Sequence, residues 1–352
     1  MVMGRRPGVA TASWPITTAD LAGMAGQLAI AMARVPMRSP LSGEGNALHN
    51  VGVAVTRETI RSFMGYCSSL PIDEFRSIEV VLDDLCAVVM PPLAKSLGVD
   101  TEKSSVGGVP GVWYRPSKGT PRGTVLYLHG GGYIGTSPRM YAFFVATLAR
   151  RIDCEIFVAD YRLAPEFPFP AALEDAAIVM EALLHGDADP GRFFLAGDSG
   201  GGGLVTTLIF ATQHAHVRSI GGALLFSPEV DLVLDEPSVS ANAKTDILPW
   251  NIPTTAYLHG RDPASASVSA VNQDVSHWPA TFVAWGAEEM FRDPIRRFAA
   301  HLESASVQTV ACEQPGMFHV FPILMPWAEA SRRVIEELAE FVDKRLAAAE
   351  PA

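Results

Sequence analysis

The sequence predicts an α/β protein built on a mostly parallel sheet that helices cover on both faces. From about residue 111 onward, short β-rich runs alternate with longer stretches of helical periodicity. The predicted strands are almost continuously apolar, which is typical of strands buried on both faces. Hydrophobic residues make up 48% of the 352 residues and charged residues 18%, so the chain can bury a large core.

Six strands are predicted in this alternating region, with helices between them. The strands cover residues 123–129, 154–160, 193–197, 222–227, 280–285 and 307–312. Capping signals place the starts of two helices. Ser137 and Pro138 should begin a helix ahead of the apolar residues 141–148. Asp293, as a capping residue before Pro294, should begin another.

Two regions depart from the alternation and are predicted to form a helical cap. Residues 1–110 are helical in tendency, with a break rich in Gly, Pro and Ser at 36–45 and a linker expected at 104–110. Residues 229–278 form a long connection between two core strands, which is typical of a functional insertion that walls a pocket. The predicted organisation is one catalytic domain with an N-terminal cap and linker at 1–110, core at 111–228, a cap insertion at 229–278 and core at 279–352.

Charge and cysteine usage exclude several classes of partner. Lys and Arg total 27 against 38 Asp and Glu, which gives a formal net charge of −11. Such a surface repels phosphate backbones, so we expect no nucleic-acid partner. The four cysteines are widely spaced without a C-x-x-C pair, which favours buried thiols in a reducing compartment over disulfides or a metal site.

The longest apolar stretch near the N-terminus, residues 21–33, is uncharged but shorter than the roughly 18–20 residues that span a bilayer. We predict a buried or lid helix here and no stable membrane insertion. Arg5 and Arg6 precede it as in an export signal, but Trp14 and Asp20 interrupt the pattern and no small-residue cleavage site follows. A cytoplasmic location is therefore predicted.

A glycine-dense turn between a predicted strand and a predicted helix carries a candidate nucleophile. Residues 193–204 read F-F-L-A-G-D-S-G-G-G-G-L, which contains G-x-S-x-G around Ser199. In a nucleophile elbow the serine lies on a tight, strained turn, and Gly197 and Gly201 remove side chains that would collide there. In a chain with 30 glycines the motif alone is equally consistent with an ordinary helix-entry turn.

A second glycine-rich loop supplies candidate hydrogen-bond donors. Residues 125–133 read V-L-Y-L-H-G-G-G-Y, a hydrophobic strand that ends in H-G-G-G. Main-chain N–H groups of such a loop stabilise the negatively charged oxygen of a tetrahedral intermediate. We assign these oxyanion-hole donors to Gly131, Gly132 and Gly200, and we expect His129 to brace the loop.

The base and the acid should follow the nucleophile along the chain. His319, in P-G-M-F-H-V-F after the last predicted strand, is the candidate base because it should reach the carboxyl edge of the sheet, where the elbow also lies. The acid should come from the loop after the preceding strand, which reads G-A-E-E-M-F-R-D over residues 286–293. Glu288, Glu289 and Asp293 compete there. We choose Glu289, because Asp293 has an alternative role as a helix cap.

Three segments together resemble the bacterial hormone-sensitive-lipase-like esterases, a branch of the α/β-hydrolases. They are H-G-G-G at residues 129–132, D-Y-R-L-A-P-E-F-P-F-P-A-A-L-E-D at 160–175 and G-D-S-G-G at 197–201. The similarity covers residues 111–346. The elbow of that family commonly has Ala where this chain has Gly200, and its acid loop commonly reads D-P-L-R-D, which puts Glu289 in the place of the acid.

The resemblance implies an α/β-hydrolase fold with a helical cap, and a serine carboxylesterase for small acyl esters that needs no cofactor. We expect a preference for short to medium acyl chains, because the cap should close the pocket. Apolar cap residues could line that pocket or simply pack against the core; they are Leu248, Trp250, Ile252, Tyr257 and Leu258.

Two other functions stay open at this point, and so does a homodimer. An amidase or another acyl hydrolase could use the same serine, since such enzymes differ from esterases in leaving-group protonation and pocket shape. A non-catalytic small-molecule receptor on the same scaffold is less favoured, because such a protein would usually lack part of the triad.

Overall fold

The computed structural model describes residues 9–37, 47–186, 189–212, 214–249 and 254–349. Within these residues, eight strands form one sheet. They are β1 Val99–Val106, β2 Val109–Pro116, β3 Thr124–Leu128, β4 Glu155–Ala159, β5 Phe193–Asp198, β6 Ile220–Phe226, β7 Thr281–Gly286 and β8 Thr309–Gln314. Their spatial order is β1-β2-β4-β3-β5-β6-β7-β8. The pairs β1·β2 and β2·β4 are antiparallel and the other five are parallel.

Twelve α-helices occur in the same described ranges, with a short 3₁₀ helix at Val35–Met37. They are α1 Trp14–Arg34, α2 Ala47–Cys67, α3 Ile72–Ser96, α4 Ala142–Ile152, α5 Ala171–Leu184, α6 Ser199–Ala211, α7 His214–Val217, α8 Pro237–Ala241, α9 Thr254–Leu258, α10 Arg292–Ser304, α11 Phe321–Leu324 and α12 Glu329–Ala348. The mostly parallel sheet flanked by helices confirms the predicted fold class.

Two apolar clusters bury the two faces of the sheet. Successive side chains of a strand point to opposite faces, so Leu126 and Leu128 belong to one cluster and Val125 and Tyr127 to the other. This double burial explains why the core strands are continuously apolar rather than alternating. All six predicted strands are confirmed, with ends that differ by at most three residues.

The linker predicted at residues 104–110 is wrong, because those residues form the turn and flanks of a β-hairpin. Val106 pairs with Val109 across Gly107 and Gly108, whose φ values of 60° and 87° suit a two-residue hairpin turn. β1 lies at the edge of the sheet and alternates between exposed and more buried residues. Its polar composition therefore reflects an exposed edge strand, and the helical N-terminal region ends at Ser96.

Both predicted helix caps are also wrong. α4 begins at Ala142 rather than at Ser137, and the Ser137 hydroxyl donates to Asp83 on α3. α10 begins at Arg292, so Asp293 lies inside its first turn and not at the capping position. In both cases the polar side chain has a partner on another element, and that tertiary contact replaces the local cap.

The apolar N-terminal stretch lies in α1, which is largely exposed. Only Thr17, Asp20 and Ala31 of α1 are buried, and Trp14 is 71% exposed, so a buried helix is not observed. By length and composition α1 is the one described helix that could cross a membrane, but signal sequences near an N-terminus pass the same test. Arg5, Arg6 and most of the break predicted at 36–45 lie outside the described residues.

Candidate active site

Ser199 lies where β5 ends and α6 begins, on a strained turn. Its φ of 51° is in the left-handed region, which a side chain other than glycine seldom adopts. A Cβ at Gly201 would lie 2.1 Å from the carbonyl oxygen of Leu128, and one at Gly197 would lie 2.6 Å from the carbonyl oxygen of Gly201. Glycine is therefore required on both sides of the serine, as the elbow geometry predicts.

His319 lies in the loop between β8 and α11 and contacts Ser199 directly. Its Nε2 is 2.8 Å from Ser199 Oγ, a hydrogen-bond distance. The imidazole is 2% exposed, and the ring of Phe291 meets it edge-on with centroids 5.0 Å apart. The two residues lie 120 positions apart in the sequence, so the carboxyl edge of the parallel sheet brings them together.

Glu289 lies in the loop after β7 and is completely buried. Its Oε1 is 3.7 Å from His319 Nδ1, which is an ion-pair distance but too long for a hydrogen bond. Its Oε2 accepts hydrogen bonds from the Ser227 hydroxyl at 2.7 Å and from Gly286 N–H at 2.9 Å. The carboxylate is therefore fixed on one side and faces the imidazole on the other.

Burial and nearby charge shift the pKa of the His319 imidazole in opposite directions. Burial lowers the pKa of His319, but the Glu289 carboxylate and the charges of Asp246 and Asp198 more than offset it. The pKa of His319 is therefore raised above its ordinary value. Nearby negative charge favours the imidazolium, which a base must become during catalysis.

The other two acid candidates make different contacts. Asp293 Oδ2 accepts from Ser238 N–H at 2.9 Å, and its Oδ1 lies 2.8 Å from Arg292 Nε. Burial raises the pKa of Asp293, but the hydrogen bond and the charge of Arg292 lower it by more than burial raises it. The pKa of Asp293 is therefore below its usual value. Glu288 is only partly buried, and its N–H donates to the carbonyl of Met317.

The predicted oxyanion-hole glycines lie in the H-G-G-G loop, which contacts Asp198 through Gly130 N–H, and in the first turn of α6. Gly131 and Gly132 have φ values of 117° and 60°, which glycine adopts without strain. Among the described residues neither N–H group has a hydrogen-bond acceptor. Gly200 lies in the first turn of α6, where N–H groups have no intrahelical acceptor. All three can therefore donate to a ligand.

Comparisons with known proteins agree with this geometry. The profile of the α/β hydrolase fold family matches residues 125–323, more than half of the chain. The chain belongs to this family. An acetyl-hydrolase of Streptomyces hygroscopicus is 32% identical over 242 residues, which cover 68% of this chain and 81% of the relative. An esterase of Acinetobacter venetianus is 27% identical over 75% of this chain and 88% of its own length.

Solved structures narrow the branch of the α/β-hydrolases. A hormone-sensitive lipase from a metagenome library has a TM-score of 0.73 at 29% identity, covering 83% of this chain and 98% of its own. An esterase of the bacterial hormone-sensitive lipase family has a TM-score of 0.68 at 26% identity, covering 91% of this chain and 98% of its own. The predicted hormone-sensitive-lipase-like branch and the ester-hydrolase class are confirmed.

In this hydrolase two buried residues contact the H-G-G-G loop, and one of them, Asp198, was not predicted. Asp198, next to Ser199, accepts from Tyr127 hydroxyl at 2.8 Å, Gly130 N–H at 2.9 Å and Tyr141 hydroxyl at 2.9 Å. It thereby ties the elbow to the H-G-G-G loop. His129 is completely buried and stacks on a tyrosine ring, which agrees with its expected bracing role.

Three further polar residues at the site were not predicted. The Ser227 hydroxyl accepts from Val320 N–H at 3.0 Å, so it links Glu289 to the residue after His319. Asp246, in the insertion, accepts from the main chain of His319. Glu229 N–H donates to the carbonyl of Ser199 at 2.9 Å, while its buried Oε1 has no hydrogen-bond partner among the residues that the structure describes. No local motif marks any of them.

A residue of the connection at 229–278 packs against the residue that follows the H-G-G-G loop. Tyr257 on α9 stacks on Tyr133, which follows H-G-G-G, with ring centroids 3.8 Å apart and planes 7° apart. Leu248 and Leu258 are buried in the same apolar cluster as Tyr133. Trp250 and Ile252 lie outside the described residues.

Proposed function

We propose that this ester hydrolase cleaves short to medium acyl esters through an acyl-enzyme intermediate on Ser199. The observation that carries the proposal is the 2.8 Å contact between Ser199 Oγ and His319 Nε2 on a serine held at positive φ. A hydroxyl is a weak nucleophile at its ordinary pKa and needs an adjacent base. His319 is that base, and Glu289 is the acid that orients it.

The first half of the reaction forms the acyl-enzyme. Neutral His319 takes the Ser199 proton at Nε2 as Oγ attacks the ester carbonyl carbon. The negative charge that develops on the carbonyl oxygen is stabilised by N–H groups of Gly131, Gly132 and Gly200. The tetrahedral intermediate then expels the alcohol, which receives its proton from the imidazolium.

The second half repeats the attack with water. His319 removes a proton from water, the hydroxide attacks the acyl carbon, and Ser199 leaves as its oxygen regains a proton. Throughout, Glu289 stabilises the imidazolium by its charge at 3.7 Å from Nδ1. No step in this scheme uses a cofactor or a metal ion.

The relatives favour an ester over an amide as the substrate. Those compared above are called an acetyl-hydrolase and an esterase, and the acyl group in the first name is short. The non-catalytic receptor is disfavoured, because serine, histidine and carboxylate meet within the distances above. An amidase remains the second candidate, since the same triad can attack an amide.

A covered site supports the preference for short chains. Ser199 is 8% exposed, and Tyr257 of residues 229–278 stacks on Tyr133, which follows the H-G-G-G loop. We therefore propose that the N-terminal helices and residues 229–278 act as a cap over the core. The cytoplasmic location and the homodimer stay predictions.

Replacing the nucleophile tests the serine mechanism. Ser199→Ala removes one oxygen and no core volume, so the variant should fold normally and lose at least about 10³-fold in kcat on an aryl ester. A fluorophosphonate should label the wild type once per chain, at Ser199, as read by mass spectrometry. Turnover above a few per cent of wild type, with contamination excluded, would contradict the mechanism.

A chain-length series tests the substrate class. We expect kcat/KM on p-nitrophenyl esters to be highest between two and eight acyl carbons and lower on longer chains, because a covered pocket limits acyl length. The matching p-nitroanilides should react far more slowly. Highest efficiency on long-chain emulsions would show that the pocket is open.

A further inference from the structure

The carboxylate of Asp246 joins the loops that carry the base and the acid. Asp246 is completely buried in the insertion, 73 residues before His319. Its Oδ1 accepts from His319 N–H at 3.0 Å and from Ile247 N–H at 2.7 Å, and its Oδ2 accepts from Met290 N–H at 2.7 Å. Met290 directly follows Glu289. One carboxylate therefore holds the backbone beside both members of the acid–base pair.

Neighbouring side chains hold the same loop. Asn242 Nδ2 donates to the carbonyl of Glu289 at 2.8 Å, and Thr245 Oγ1 donates to the carbonyl of Glu288 at 3.3 Å. Residues 242–246 thus contact the main chain of the acid loop at three consecutive residues. We call residues 242–246 the splint.

The splint is itself anchored by the N-terminal helices. Arg61 on α2 donates from Nη1 to the carbonyl of Asp246 at 2.5 Å and from Nη2 to that of Ala243 at 2.6 Å. A guanidinium that binds two carbonyls at once fixes orientation as well as position. A continuous set of contacts therefore runs from α2 through the splint to the acid and the base.

We propose that Asp246 is a positioning residue for ester hydrolysis, setting the separation and orientation of Glu289 and His319 through the splint. The inference rests on the proposed function, because it concerns the geometry of that acid–base pair. Asp246 does not touch the reacting atoms. It acts through the main chain of His319 and Met290.

A carboxylate suits this position better than its neutral amide. Three N–H groups converge on two oxygens, and each oxygen of a carboxylate can accept. An asparagine offers one accepting oxygen, and its NH₂ group would face an N–H donor. One loop would then lose its hydrogen bond and shift. Misplacement of catalytic groups by about 1 Å can cost about 10²-fold in rate.

The charge of Asp246 also raises the pKa of the His319 imidazole. The groups that face His319 are Ser199 and the ring of Phe291, together with the carboxylates of Glu289, Asp246, Asp198 and Glu229. Burial raises the pKa of Asp246 to about 6, so its carboxylate is ionised at pH 8. Neutralising it removes one of the negative charges that raise the pKa of His319.

The test compares Asp246→Asn with Asp231→Asn. Asp231 is a matched control, because it is a buried aspartate of the same insertion whose partners are Val233 N–H and Arg297, away from the acid and base loops. For Asp246→Asn we expect kcat to fall about 10- to 100-fold with KM within about threefold of wild type. The part of the kcat–pH profile in which kcat rises as His319 loses its proton should move to lower pH. Asp231→Asn should leave both readouts at wild-type values.

The results separate this inference from the proposed function. Suppose that Ser199→Ala is inactive but Asp246→Asn has the same kcat and the same kcat–pH profile as Asp231→Asn. The proposed mechanism then stands, and the positioning role of Asp246 is overturned. If Ser199→Ala keeps its turnover, the proposed mechanism fails whatever Asp246→Asn does. Should Asp246→Asn not fold, Arg61→Gln decides: it leaves the carboxylate in place, so we expect a smaller loss of kcat at unchanged KM. A normal kcat in folded Arg61→Gln would then overturn the proposed role of the splint in positioning Glu289 and His319.

Discussion

The elbow that carries Ser199 and the proposed acid–base pair, Glu289 and His319, are assembled in different ways, although they meet at one hydrogen bond. The elbow and its oxyanion loop come from two short motifs at the ends of adjacent strands β3 and β5. They are held together by main-chain packing, with glycines where backbones nearly touch, and by the hydrogen bond from Gly130 N–H to Asp198. The acid–base pair stands on loops after β7 and β8, which buried polar side chains from a distant insertion hold in place. Close packing and hydrogen bonds between two short motifs therefore organise one half of the site, and hydrogen bonds from a distant insertion organise the other.

The largest expected effect is in the acid–base half. Glu289→Gln keeps the size of the side chain but removes the charge that stabilises the His319 imidazolium, so kcat should fall about 10²- to 10⁴-fold with little change in melting temperature. Asp293→Asn should keep nearly normal kcat, because Asp293 contacts Ser238 and Arg292.

The two variants should be measured together by steady-state kinetics and thermal unfolding. Asp293→Asn keeps an oxygen for Ser238 N–H but weakens a partly exposed ion pair, so it should cost about 1 kcal/mol of unfolding free energy or less. A severe loss of activity in Asp293→Asn beside a nearly normal Glu289→Gln would assign the acid to Asp293.

The second expected effect separates two glycines of the elbow. Gly201→Ala would put a Cβ 2.1 Å from the carbonyl oxygen of Leu128 and 2.4 Å from that of His129, and neither backbone atom can retreat without moving β3 or its loop. We expect a loss of at least about 3 kcal/mol in unfolding free energy, or no folded protein.

Gly200→Ala is the matched control, because its Cβ would meet Tyr133 atoms at 3.2 Å, where a shift of a few tenths of an ångström suffices. This variant should fold and keep kcat within about tenfold of wild type, because the oxyanion donor is a main-chain N–H. Urea unfolding and ester kinetics measure both variants. Equal stability of the two would show that the elbow is not held by steric fit.

The same contrast explains what the sequence could predict. The six core strands, the turn at Ser199 and the two glycine loops could be predicted because each depends on consecutive residues and has a local physical cause. The strand β1 was not predicted because an exposed edge strand has the polar composition of a linker. Ser137 and Asp293 were misassigned as caps because their actual partners, Asp83 and Ser238, are distant in sequence.

The acid–base half was only partly predictable for the same reason. His319 and Glu289 followed from chain order and from the resemblance, which restricts the search to two loops. Asp246 and Ser227 could not be found, because their importance lies in hydrogen bonds to groups 44 to 93 residues away. A single sequence shows no signal for such contacts.

The smallest expected effect concerns Glu229, which contacts the elbow and also faces the acid–base pair. Its N–H binds the carbonyl of Ser199 in the elbow, while its carboxyl group faces the acid–base half. Burial raises the pKa of Glu229 from 4.5 to about 7, although the charge of His319 partly opposes this. The folded state therefore binds this proton more tightly than the unfolded state does.

Glu229→Gln should stabilise the fold in a pH-dependent way. Below about pH 4.5 the group is protonated in both states and carries no ionisation penalty, so variant and wild type should be equally stable. Between pH 4.5 and about 7 the unfolded state of the wild type loses this proton while the folded state keeps it, so the wild type is progressively destabilised. Above about pH 7 the loss reaches its full value of up to about 3 kcal/mol, which the variant avoids. Urea unfolding at pH 4.5 and pH 8 measures this difference, with exposed Glu340→Gln as control. A gain that is equal at both pH values would mean that packing, and not the buried charge, distinguishes Glu229 from glutamine.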